Sequence, residues 1–301
     1  MRLKRMAGEP RERIAGRQPE PPPAGRWQVL PTAETIMPKD TSPFPESFVC
    51  TAITPGKPQL QLRLGHATAA VPGKDNEDFH GIVTAREELE AQDRGIAVAI
   101  ADGVSGRGGG RLASETAVKS LLRDYYAAPD TWNITQALDK LLRSINDWLY
   151  SENARHPEYE GMVTTLTMLV FKGSSYHLAH VGDTRAYRRR GRVFQQLTID
   201  HTWERADMRH VLKRAIGLDS HLVADYTDGE LVPGDIFLMA SDGVWEVLGE
   251  RVVREIMYAS GSAQTLAEEL VEQSIKNQVQ YMGRNDATAI VIAVEEFTAG
   301  D

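Results

Sequence analysis

Gly95-Ile96-Ala97-Val98-Ala99-Ile100-Ala101-Asp102-Gly103-Val104-Ser105-Gly106-Arg107-Gly108-Gly109-Gly110 is the stretch on which the reading of this chain turns. The apolar run Ile96 to Ile100 is too short for an amphipathic or spanning helix and reads as a buried strand. A carboxylate, Asp102, closes it. Gly103, Gly106, Gly108, Gly109 and Gly110 follow within a few residues, and glycine lets a ligand or another stretch of backbone come close. An acid held at the mouth of a buried strand by such a loop suits hard-cation or phosphate chemistry. The loop lacks the Gly-Lys-Ser/Thr of a P-loop, and Arg111 stands where the third glycine of a dinucleotide fingerprint would fall.

The rest of the chain repeats the pattern. Asp235 to Ala240 is another apolar strand that ends in Ser241-Asp242-Gly243, Gly182-Asp183 interrupts a strand-rich block, and Asn285-Asp286 precedes the apolar run Ala287 to Val294. Glu77 and Asp78 sit in the turn after a first alternating strand, Leu60 to Leu64. For any one aspartate a turn role suffices, since Asp-Gly is a common turn dipeptide. For the set it does not, because turns do not require the same acid beside several buried strands. Carboxylates gathered at one sheet edge repel one another, and divalent cations offset that cost. With a single Cys50 and no helical His pairing, all-oxygen ligation points to Mg²⁺ or Mn²⁺ rather than zinc. Most of the scattered histidines, among them His66, His80, His177, His180, His210 and His221, read as structural or solvated, with His180 in the core, while the sequence does not show whether His201 lies near the site.

Between these acids, residues 112–126 and 134–150 have helical periodicity. Thr164 to Phe171, Tyr176 to Val181, Arg185 to Arg189 and Val193 to Leu197 read as a meander. A short helical connection is expected from Asp200 to Gly217, and helices near 249–259 and 262–277. Grouped strands and paired helices, without βαβ alternation, predict an α+β domain of antiparallel sheets and packed helices.

Composition sets outer bounds. Of 301 residues, 42% are hydrophobic and 25% charged, with a net charge of −8, so there is no electrostatic case for nucleic acid or an anionic membrane. A lone cysteine fits a reducing compartment, no apolar run approaches a membrane span, and a cytoplasmic location is expected. Residues 1–60 hold 11 of the 15 prolines. The chain is therefore divided into a disordered tail over 1–58, one domain over 59–297 and a short C-terminal tail over 298–301.

In their order along the chain, Asn76-Glu77-Asp78, Ala101-Asp102-Gly103, Gly161 with Thr164-Thr165, Val181-Gly182-Asp183-Thr184-Arg185, Asp200-His201, Ser241-Asp242-Gly243-Val244-Trp245 and Asn285-Asp286 resemble the metal-dependent protein phosphatases (PPM, or type 2C), across about residues 60–296. Details such as Phe79-His80-Gly81 are most similar to bacterial modules often fused to a serine/threonine kinase. The resemblance implies a four-layer fold, a central antiparallel β-sandwich flanked by pairs of α-helices. It also implies a binuclear Mn²⁺ or Mg²⁺ site, in which Asp102 bridges both ions, Glu77, Asp78 and the Gly103 carbonyl serve one, and Asp242 and Asp286 hold the other. Asp183, with help from Glu246, matches a weaker third site.

The implied activity is hydrolysis of phosphoserine and phosphothreonine on proteins by a metal-activated water, without a protein nucleophile. Asp102, Asp242 and Asp286 would act through that water. A monomer and a cognate serine/threonine kinase are the expected context. Two other readings share these residues, a catalytically weak signalling or binding module and a hydrolase of small phosphate esters. The chain departs from the family in three places. Lys74 stands near the position of a phosphate-binding arginine and offers a point charge rather than a bidentate fork. Val104 replaces the histidine that animal relatives carry as a general acid. The Asp200–Gly217 interval is short for a substrate-selecting flap.

Overall fold

The strand Ile96–Asp102 alternates large and small apolar residues, and this alternation organises the layers of the fold. In the computed structural model, residues 50–52, 59–71, 73–83, 94–104, 109–155, 161–204, 208, 211–278 and 285–297 are described. Ile96, Val98 and Ile100 point into a core between two sheets. Ala97, Ala99 and Ala101 face the other way, beneath a helix pair. Small residues on that face let the helices approach closely, while the bulky face fills the space between sheets.

Among the described residues eleven strands form two antiparallel sheets. The first joins β1 (Cys50–Ala52), β2 (Gln59–Ala69), β7 (Arg185–Arg190), β8 (Val193–Gln196), β10 (Ile236–Ala240) and β11 (Ala287–Phe297), in the order β1-β2-β11-β10-β7-β8. The second runs β3-β4-β5-β6-β9, built from β3 (Asp78–Val83), β4 (Ile96–Asp102), β5 (Leu166–Lys172), β6 (Ser175–Val181) and β9 (Asp225–Glu230). Helices α1 (Gly109–Tyr126) and α2 (Ile134–Arg155) cover the five-stranded sheet. Helices α3 (Asp242–Met257) and α4 (Ala263–Gln278) cover the six-stranded one. Strand β11 repeats the logic of β4, with Ile290, Ile292 and Val294 between the sheets and Ala287, Ala289 and Val291 under the helices. The result is the α+β, four-layer sandwich expected from the sequence.

Three local expectations need correction. Strand β1 lies inside the stretch assigned to the tail and pairs Cys50 with Leu62 through Ala52 with Leu60, so ordered pairing begins before residue 59. The expected meander is divided at Gly182, where φ is +110°, because β6 ends in one sheet and β7 begins in the other. Between Asp200 and Gly217 the described residues form bends and isolated bridges, not a helix. Helix α3 also starts earlier than its periodicity suggested, at Asp242, and is kinked at Gly249. Residues 1–49, together with Gly106, Gly108 and His210, lie outside the described residues.

Candidate active site

Strand ends and turns from both sheets deliver their acids to one cavity of about 480 Å³. Glu77, Asp102, Asp183, Asp242 and Asp286 line it, with Gly103 and Lys74. Asp78 is buried behind this lining. Glu246, one helical turn beyond Asp242, is exposed at the side, close enough for its charge to raise Asp183 and Asp242.

Each acid is positioned by a specific local device. Asp102 is fixed through its backbone: its N–H donates to Thr165 Oγ1 (2.8 Å), and its carbonyl accepts from Thr164 Oγ1 and from the Thr165 amide, both at 2.9 Å. Asp78 faces Asp102 across the last rung of the β3–β4 ladder, and Ser241 Oγ donates to its Oδ2 (2.7 Å). Ser241 stands at the N-cap of α3 without the usual side-chain cap. Its hydroxyl is spent instead on Asp78 and on the Thr288 amide, which donates to it at 3.0 Å. Asp242 follows in the first helical turn, where the helix dipole favours an anion, and Asn285 Nδ2 donates to its Oδ2 (2.9 Å). Asp286 accepts the amides of Val71 and Glu77, each at 2.7 Å. Gly243 packs so tightly on this segment that a Cβ there would stand 2.0 Å from the Asp286 carbonyl oxygen.

Asp183 is held by its turn. The Trp245 indole donates to its carbonyl (3.0 Å), and the Arg185 guanidinium lies 3.4 Å over the Trp245 ring while pairing with Asp200. On the other side, buried His201 accepts the Gly182 amide at Nδ1 (3.1 Å) and turns its Nε2 to Asp225 Oδ2 (3.1 Å). The sequence had not placed His201; it braces the turn that carries Asp183. His180 is the core histidine expected, bonded to Thr167 and to the Ile199 carbonyl.

The electrostatics are those of crowded acids. Burial, then the charge of Asp242 and its neighbours, holds Asp102 well above the usual carboxylate range. Burial does the same for Asp78, with Asp242 and Asp286 adding to it. Asp183 is pushed up to about 7 by burial, then by Asp242, Asp200 and Glu246. Asp242 is raised to about 6, again chiefly by burial. Asp102 and Asp242 are close enough to share a proton. Among the described residues no three His, Cys, Asp or Glu side chains already converge on one point as an ion cage. The donor set nonetheless suits a hard divalent cation. It is all oxygen, and Asp78 Oδ1 and Asp242 Oδ1 are buried without a hydrogen-bond partner.

The sequence had not assigned support roles to Ser241 and Asn285, although each adjoins an acid in the quoted motifs, nor to Thr164-Thr165. It also gave no sign that Val211 and Leu218 would line the same cavity. They stand in the short segment after Asp200, and no spacing pattern joins them to the acids.

Comparison with known proteins gives the family. The family model described as Protein phosphatase 2C matches residues 70–280, and the chain belongs to that family. It is 27% identical over 242 residues to the serine/threonine phosphatase stp of Listeria monocytogenes, covering 72% of this chain and 89% of that protein. It is also 27% identical over 238 residues to the serine/threonine protein phosphatase PstP of Mycobacterium tuberculosis, covering 73% of this chain but only 44% of PstP. The catalytic domain of PstP, solved in complex with two manganese ions, superposes with a TM-score of 0.65 at 25% identity, over 79% of this chain and all of that domain. No helix among the described residues is long and apolar enough to cross a membrane.

Proposed function

We propose that this chain hydrolyses phosphoserine and phosphothreonine monoesters on proteins, in keeping with the serine/threonine phosphatase names of its relatives, with divalent metal at the carboxylate cluster. The observation that carries the reading is the convergence of Glu77, Asp102, Asp183, Asp242 and Asp286 on one cavity, with buried carboxylate oxygens on Asp78 and Asp242 that no protein group satisfies. In this reading Asp102, with Glu77, Asp78 and the Gly103 carbonyl on one side and Asp242 and Asp286 on the other, would hold the divalent cations, and Asp183 with Glu246 would offer a weaker further position. Bound there, Mn²⁺ or Mg²⁺ supplies an activated water and neutralises charge on the phosphoryl oxygens.

The chain's own groups do the rest. Val71 and Glu77 amides fix Asp286, Asn285 orients Asp242, and Ser241 orients Asp78. Thr165 brings the one side-chain hydroxyl to the described lining, and it already accepts the Asp102 amide. Water is the nucleophile in this reading. Lys74 is the cation placed to attract the substrate phosphate, as a point charge. Val104 has no titratable group, so the leaving alkoxide takes its proton from water or from another group of the site. The proposed partners are proteins phosphorylated by a serine/threonine kinase, and the proposed compartment is the cytoplasm.

The test is release of inorganic phosphate from a phosphothreonine peptide by the purified chain. Turnover with Mn²⁺ that stops in EDTA supports the reading; turnover that is indifferent to EDTA contradicts it.

A further inference from the structure

Part of the cavity has no evident work in holding cations or phosphate. Val104, Val163, Val211, Leu212 and Leu218 share it with the acids, and Val104, Val211 and Leu218 remain 38%, 45% and 46% exposed. Single aliphatic residues on a surface are ordinary. These are gathered in one cavity and held there by backbone. The Val104 amide donates to the Val163 carbonyl (2.9 Å), and Gly103 bridges Thr164, which in turn bridges Ile216, two residues before Leu218. Val211 is held by the Trp203 amide (3.2 Å) and by the neighbouring Thr202–Leu212 bridge. Thr164 also donates to the Asp102 carbonyl, so the apolar wall is fastened to the strand end that carries the central acid. Such a surface is preorganised for contact.

We propose that this wall is a subsite for an aliphatic side chain adjoining the phosphorylated residue of a peptide, and that it makes the chain prefer phosphopeptides with Leu, Ile or Val at that neighbour over those with Asp or Glu. The inference rests on the phosphatase reading and adds the substrate class. At about 480 Å³ the cavity is the size of a small-molecule site and leaves room beyond a phosphoryl group for a neighbouring side chain. Charge points the same way. Among the described lining residues Lys74 is the one basic side chain, and the substrate phosphate claims it, so an acidic neighbour finds no basic partner there. Half-burying a leucine side chain on such a wall corresponds to a preference of about three- to tenfold over alanine.

The experiment compares otherwise identical phosphothreonine peptides carrying Leu, Ala or Asp immediately before or after the phosphothreonine, with Mn²⁺. In the wild type, kcat/KM for Leu should exceed that for Ala by about three- to tenfold on at least one side, mainly through KM, with Asp below Ala. In the Val211→Ser/Leu218→Ser variant the Leu-to-Ala ratio should fall to near one. The ratio is taken within one enzyme, so a change in overall activity does not disturb it. The conservative Val104→Thr variant should reduce the ratio partially, and the wild-type panel decides the matter even where a variant folds poorly. Hydrolysis of every peptide without a leucine preference on either side overturns the subsite and leaves the phosphatase reading standing. No hydrolysis of any peptide with Mn²⁺ overturns the reading of the site, and this inference with it.

Discussion

Asp78 and Asp102 are register partners at the last rung of the β3–β4 ladder, so the pairing that builds the five-stranded sheet also sets two carboxylates side by side. Like charges opposed across strands are destabilising, and here both groups are buried beside Asp242. The fold therefore carries a local electrostatic cost that bound divalent cations would relieve.

Asp183→Asn should stabilise the protein in EDTA, and by more at high pH than at low. A folded pKa of about 7, above the unfolded value near 4, means that the folded protein binds the extra proton in that interval. The Asp183 contribution is thus most favourable below pH 4 and is lost as pH rises through 7. Buried histidines such as His80 and His180, lowered to about 3 and about 4 by burial, tilt the wild-type curve the opposite way. The difference between variant and wild type removes them. That difference should grow from near zero at pH 4 to roughly 2–4 kcal/mol at pH 8. Denaturant unfolding across this range checks it, and a difference independent of pH contradicts it.

Ser241→Ala should weaken Mn²⁺ binding about tenfold or more, because the Ser241 hydroxyl orients Asp78. It also leaves the buried Thr288 amide without its acceptor, which should lower stability by about 1–3 kcal/mol. Calorimetric titration of Mn²⁺ and a thermal melt measure the two effects separately. Unchanged affinity would remove Ser241 from the support of the site.

Lys74→Ala should raise KM for a phosphopeptide by about five- to twentyfold with little change in kcat, as expected for loss of a point charge that captures phosphate. Equal kcat/KM for the two enzymes would show that Lys74 has no part in binding.

Gly243→Ala should destabilise the protein by about 3 kcal/mol, because its Cβ would meet the Asp286 carbonyl oxygen at 2.0 Å. The shift it forces moves Asp286, so Mn²⁺ affinity should fall as well. A melting temperature within a degree of the wild type would contradict the close packing of α3 on this segment.

How far the sequence could be read depended on whether the determining contact was local. Strands β4, β10 and β11 are apolar runs whose burial on both faces follows from their composition, and the acids beside them stood out for the same reason. Strand β9, Asp225-Tyr-Thr-Asp-Gly-Glu230, offered no such run; it forms through its register with β6. The division of the meander at Gly182 was likewise not local, since it depends on which sheet each strand joins. Helix α3 was read late because Gly243 and Gly249 lower helix propensity over its first turns. The candidate acids were legible as a set. Their supports, Ser241 on Asp78, His201 on Gly182 and Trp245 on Asp183, join residues far apart in sequence and needed the fold.

The most direct measurement is calorimetric titration of Mn²⁺ into the wild type and Asp102→Asn, run beside phosphothreonine-peptide hydrolysis by the same preparations. The account predicts at least two Mn²⁺ per wild-type chain and metal-dependent turnover. In Asp102→Asn it predicts fewer bound ions and turnover reduced by about two orders of magnitude or more, the scale on which loss of a preorganised electrostatic group acts. Wild-type binding and turnover that persist undiminished in Asp102→Asn would contradict it.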